Sequence, residues 1–82
     1  MEVRYKYYEV KYNLGDGNWN CLMKHPFDLD EVIESIIRKG YAIGYEGWKR
    51  SEGGWAYNSI STIAIPYHAI ISVKRMASPV ID

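Results

Sequence analysis

Apolar and polar residues alternate with a period of two through most of the chain and with a helical period only once. Val3 to Tyr12 reads as a strand whose apolar parity starts on Val3, Tyr5 and Tyr7 and then moves to Tyr8, Val10 and Tyr12. Side chains alternate across a strand, so such a switch predicts a bulge near Tyr7-Tyr8 or a strand covered on both faces. Asn13-Leu14-Gly15-Asp16-Gly17-Asn18 is turn chemistry, with Asp-Gly as its hairpin signal. Trp19, Cys21 and Met23 then alternate with Asn20, Leu22 and Lys24 on a returning strand. Tyr41, Ile43 and Tyr45 form a third alternating run, Trp55 to Ile65 a fourth and Ala69 to Met76 a fifth.

The helical period lies between the second and third strands. Leu29, Val32, Ile33, Ile36 and Ile37 follow i, i+3, i+4, i+7, i+8, one apolar stripe. Asp28 reads as an N-cap with Glu31 completing a capping-box pair, and Phe27 and Val32 occupy the staple positions. Acidic residues lie early, Arg38 and Lys39 lie late, and Gly40 is a C′ stop. A helix of about three turns is unstable alone, so it must dock on something apolar.

The pattern therefore predicts an α+β fold of order β-β-α-β-β-β: a four- to five-stranded antiparallel sheet with one amphipathic helix packed on one face. The expected core is Val10, Leu22, Leu29, Val32, Ile33, Ile36, Ile37, Ile43, Ile63, Ile65, Ile71 and Val73. Residues 1–76 make one domain, and 77–82 read as a flexible C-terminal tail. Val3–Tyr12, terminal and charged, is the expected edge strand. An open edge is a template for pairing, which predicts a homodimer or small oligomer.

Composition narrows the functional classes. The chain has 82 residues, ten basic and ten acidic, for a net charge of zero. That excludes a strongly basic nucleic-acid tail and an acidic DNA mimic, and 48% hydrophobic residues exclude intrinsic disorder. One Cys excludes a disulfide framework and a Cys-rich zinc site. A lone thiol and a charged N-terminus without an apolar run point to a cytoplasmic protein with no membrane segment. The Ile- and Tyr-rich composition is also that of AT-rich genomes, including those of phages and mobile elements.

Pro66-Tyr67-His68-Ala69-Ile70-Ile71-Ser72 resembles the last motif of the bacterial Sm-like RNA chaperone family, where a capped helix also lies upstream. Here too few residues separate helix and motif for that family's strongly bent strands. A Pro also precedes Tyr67-His68, where the family has none. No RNA-binding residue is carried over.

Catalysis finds little raw material. Cys21 shares a parity with Trp19 and Met23 and reads as a buried small hydrophobe. His25 and His68 flank Pro-containing turns and read as turn residues with solvent-facing rings. Cys21 and His25 offer two metal ligands at most, short of the three or four a site needs. The acidic cluster Asp28, Asp30 and Glu31 is explained by capping, and no phosphate-loop or nucleophile-elbow pattern occurs. The expectation is a non-enzymatic protein without cofactor or metal.

Binding is the better-supported class. Tyr45, Trp48, Lys49, Arg50, Trp55 and Tyr57 crowd around Gly47, Gly53 and Gly54. Trp, Tyr and Arg dominate interface hot spots because they bury much area at low entropy cost. These six residues are the candidate binding site of a stoichiometric protein-binding inhibitor or adaptor. The competing structural role is a hairpin whose Trp residues pack in the core. Two other partners stay open. Arg4, Lys6 and Lys11 interleave with Tyr5, Tyr7, Tyr8 and Tyr12, a pattern that on an open sheet holds single-stranded RNA or DNA. An oligomeric nucleotide or small-molecule binder would use the aromatics for stacking and Lys49 or Arg50 for phosphate.

Overall fold

In a computed structural model, which describes residues 4–82, the chain forms one six-stranded sheet and one helix. Strand β1 (Lys6–Asn13) turns into β2 (Asn18–His25), followed by helix α1 (Leu29–Lys39), β3 (Tyr41–Lys49) and β4 (Trp55–Pro66). A 3-10 turn over Tyr67–Ala69 leads to β5 (Ile70–Met76), and β6 (Val80–Ile81) ends the sheet. The strand order is β5-β1-β2-β3-β4-β6. All neighbours are antiparallel except β6, which runs parallel to β4. The sheet thus has six strands, not four or five. The extra one comes from the tail expected to fray: β6 pairs with Ala56 and Tyr57, and the Asp82 N–H donates to the Tyr57 carbonyl at 2.9 Å. The segment resembling the Sm-like motif forms the β4–β5 joint, and two strands precede the helix.

Local chemistry explains the turns. Gly15 and Gly17 take φ of +109° and +104°, and Asn13 Oδ1 accepts the Gly15 N–H at 2.7 Å. These are the left-handed conformations that glycine tolerates without penalty. Helix α1 ends as its sequence predicts, with the Gly40 N–H donating to Ile36 O. Its start differs. Asp28 sits at the N-cap but its side chain makes no cap bond; Asp28 Oδ1 accepts instead from Lys6 Nζ at 2.7 Å. Phe27 is half exposed and leans on His25, while Val32 is fully buried.

The helix docks against β3 and β5. Only Val32, Ser35 and Ile36 are buried, and Leu29, Ile33 and Ile37 remain on an exposed flank. On the helix side of the sheet the core is Tyr8, Val10 and Tyr12 of β1, Cys21 and Met23 of β2, Ala42, Ile65 and Ala69, closed by Val32 and Ile36. Ile63 and Val73 pack partly against it.

Strand β3 accounts for a further correction. Its large residues Tyr41 and Ile43 are exposed, and the small parity, Ala42 and Gly44, faces the core. Strand β3 pairs with β2 at only two positions, Cys21↔Glu46 and Leu22↔Tyr45, so the strands cross closely. A Cβ on Gly44 would lie 2.8 Å from the Leu22 carbonyl oxygen. Bulk cannot enter there, so Ile43 turns outward. Ile71 is exposed because the β1–β5 register slips there, Lys11 facing Ser72 and Tyr12 facing Ile70. That slip, not Tyr7-Tyr8, is the bulge opposite β1, whose pairing with β2 is unbroken. The start expected at Val3 lies outside the described residues. Strand β1 is also interior, between β5 and β2, so it is no edge.

A second buried cluster lies on the opposite, open face. Leu22 and Tyr57 are fully buried there, outside the main core. Residues 58–61 of β4 face a single position, Glu46, between the pairs Tyr45↔Thr62 and Gly47↔Tyr57. This wide bulge bends β4 and swings its first residues over the open face. Ser61 Oγ donates to Glu46 Oε1 at 2.7 Å, and Asn58 Oδ1 accepts the Ile60 N–H at 3.0 Å, fixing the bend.

Candidate functional site

The β3–β4 hairpin tip carries most of the candidate residues. The Arg50 N–H donates to Gly54 O at 3.0 Å and the Gly53 N–H to Arg50 O at 3.1 Å, with Arg50 and Glu52 ion-paired at 2.6 Å. Gly53 and Gly54 have φ of +98° and +78°. These glycines make a tight turn rather than a loose loop, so the tip is a preorganised support.

Pairing sorts the residues onto two sides. Trp48 faces Ala56 across the hairpin and Lys49 faces Trp55, so the two Trp side chains project from opposite surfaces. On one surface, Trp48 lines a depression of about 310 Å³ with Arg50, Ala56, Val80 and Asp82. Trp48 is 39% exposed and Val80 beside it is similarly open. On the other surface, Trp55 and Lys49 line a groove of about 360 Å³ with Glu9, Lys11, Asn18 and Asn20. Trp55 is half-buried and stands edge-on to Trp19 at 6.1 Å. Asn20 is 5% exposed. With Nδ2 donating to Trp19 O, its Oδ1 accepts from Trp55 Nε1 at 3.0 Å, which satisfies a buried amide and fixes the indole.

Tyr45 and Tyr57 do not join either surface. Tyr45 is half-buried in a separate hollow with Tyr5, Leu22, Lys24 and Ile43. Tyr57 is completely buried, its hydroxyl 4.0 Å from Met76 Sδ, so its place is structural. Burial first, and then the Glu9 charge, raise its pKa.

The first-strand stacking platform does not assemble. Tyr8 and Tyr12 are in the core, and Lys6 is tied to Asp28. Tyr7 is half-buried, and Tyr5, with Lys24 Nζ 4.5 Å from its ring centroid, keeps an exposed aromatic beside a cation there. His25 is half-buried rather than solvent-facing; its Nδ1 accepts the Phe27 N–H at 3.2 Å, and burial, then Lys39, lower its pKa. His68 is exposed in the 3-10 turn. Among the described residues no three His, Cys, Asp or Glu side chains converge, and no helix is long and apolar enough to cross a membrane.

Cys21 is fully buried, and burial pushes its thiol up to about 12. The thiol is therefore protonated at neutral pH and should resist alkylation in the native protein while reacting on unfolding. Because the folded-state value is the higher one, the stabilisation it reflects is complete below pH 9 and drains away as pH rises toward about 12. Burial raises Tyr12 and Tyr57 in the same direction. An alkaline melt beginning above about pH 9, with its midpoint raised in Cys21→Ser, is the expected result; an unchanged midpoint would remove Cys21 from that account.

Glu9, Asn18 and Asn20 were invisible as site residues because they sit on the polar parity or at the turn of a hairpin, where the pattern signals only solvent, and Lys11 was visible only as part of the first-strand stacking pattern. Val80 was hidden in a segment too short to show a period. Comparisons with family models, with curated proteins and with solved structures find no match, so the functional reading rests on this geometry.

Proposed function

We propose that the protein is a non-enzymatic, stoichiometric binding protein that engages a protein partner through the Trp48 side of the β3–β4 hairpin. The observation that carries this reading is an indole held half-exposed on a pinned hairpin, with Ala56 and Val80 as apolar neighbours and Arg50, Glu52 and Asp82 around it. A rigid aromatic anchor with an apolar surround and a charged rim is the anatomy of an interface hot spot. The rim holds both signs of charge, so it suits a partner surface with an indole-sized apolar pocket among mixed charges, and it tunes association rate more than affinity. Inhibitor and adaptor roles both require this kind of rigid, stoichiometric contact.

Trp48→Ala should weaken partner binding by about 2 kcal/mol or more with an unchanged melting temperature. Partners captured from lysate by the parent protein, then titrated against purified Trp48→Ala, provide the measurement. Equal affinity for both proteins would overturn the reading.

Self-association belongs to the same proposal, through different edges from the one expected. Among the described residues, strand β5 has an open outer edge, and β6 with Asp82 covers β4 as far as Ser59, with Ile60 beyond it 91% exposed. Unpaired strand edges favour addition of another strand. Sedimentation should give a multiple of the 9.5 kDa chain mass at micromolar concentration; a constant 9.5 kDa would reject it.

A further inference from the structure

We infer that the groove on the Trp55 side of the hairpin is a binding site for a small anion that carries a planar ring, a ligand of the mononucleotide class. This goes beyond the protein-docking surface and lies on the other side of the hairpin, since Trp48 and Trp55 project from opposite sides and Lys49 alone lines both hollows.

The groove's volume, about 360 Å³, lies at the lower end of the roughly 300–1,000 Å³ range of small-molecule sites, which fits a single ring with its substituents rather than a polymer. Its walls come from two hairpins. Lys11 and Asn18 stand on the β1–β2 side, and Lys49 and Trp55 on the β3–β4 side. Neither ammonium group has a carboxylate partner: the ion pairs among the described residues are Lys6–Asp28 and Arg50–Glu52. Two unpaired cations facing one groove favour an anion, and a phosphate can accept from both. The indole adds a flat apolar wall, and aromatic walls hold planar rings by stacking.

The remaining polar groups have places in the same scheme. Asn18 Oδ1 already accepts from Asn13 Nδ2 at 3.1 Å, which leaves its own N–H groups as donors. Asn20, buried and bonded to Trp55 Nε1, fixes the indole before any ligand arrives. Glu9 is the one carboxylate in the groove and supplies an acceptor for hydroxyl or exocyclic amine donors. Such a preformed lining lowers the ordering cost of binding.

The test is a calorimetric and Trp-fluorescence titration of the full chain with adenosine 5′-monophosphate, adenosine and inorganic phosphate. The monophosphate should bind saturably and change the Trp emission, with adenosine and phosphate each weaker by at least about tenfold. The double variant Lys11→Ala, Lys49→Ala should lose about tenfold or more in affinity while melting like the parent, and Trp48→Ala should bind as the parent does. Absence of saturable binding at millimolar monophosphate, or undiminished binding in the double variant, overturns the site. Adenosine binding as tightly as the monophosphate overturns its anionic part, and phosphate binding as tightly overturns its stacking part.

Discussion

Ile36→Asp should abolish the cooperative melting transition, whereas Ile37→Asp, one residue along the same helix, should melt within about 0.5 kcal/mol of the parent. Ile36 is 2% exposed and packs in the core beneath the sheet's helix side; Ile37 is 53% exposed. A carboxylate at position 36 would have to stay charged without a partner or take up a proton against its ordinary pKa and bury an unpartnered carboxyl, and either outcome costs several kcal/mol. Total stability for a domain of this size is only about 5–15 kcal/mol, so one buried charge consumes most of it. The measurement is thermal or urea unfolding of the pair. A cooperative Ile36→Asp melt near the parental midpoint would mean that α1 does not dock through Val32 and Ile36.

The contrast between neighbouring isoleucines shows what sequence pattern can and cannot reach. The period of Leu29, Val32, Ile33, Ile36 and Ile37 located α1 to the residue and named its C-terminal stop at Gly40. It could not divide the stripe, because all five positions are equally apolar and only the width of the contact with β3 and β5 decides which are covered. Strand β3 reversed its expected face for a related reason. Pattern reading assigns the large residues Tyr41 and Ile43 to the core, but the close crossing over β2 leaves room only for Ala42 and Gly44. The β1–β2 hairpin was legible because its turn needs glycine at positive φ, whereas Gly47 to Gly54 read as a loop and the hairpin there only as a competing role, because the continuation of β3 to Lys49 carries no clear alternation. The candidate site was legible only as a cluster. Which of Trp48 and Trp55 shares a surface with Lys11 or with Val80 depends on pairing register, and register here is broken by a bulge whose residues, Asn58 to Ser61, carry no distinctive pattern.

That bulge makes Tyr57 the residue on which sequence and structure differ most in consequence. Grouped with Trp48 and Trp55 by proximity in the chain, Tyr57 reads as a surface anchor. The bend at residues 58–61 turns it beneath the hairpin, opposite Gly47 and beside Met76, with no exposed surface. Gly47 is what admits the ring: a Cβ there would lie 2.9 Å from Tyr57 Cε1 and 2.6 Å from the Asn20 carbonyl oxygen. Tyr57→Ala should therefore cost about 3–5 kcal/mol of stability, the range for emptying a buried aromatic site, and should loosen the tip that carries both proposed surfaces. Tyr57→Phe keeps the ring and loses a long contact to a thioether sulfur, a weak acceptor, and the hydroxyl's interaction with Glu9, so it should cost about 1 kcal/mol, well short of Tyr57→Ala. Urea unfolding of the two variants checks the pair. Equal, large losses would shift the burden from ring volume to the hydroxyl, and a neutral Tyr57→Ala would mean that β4 does not fold over the open face at all.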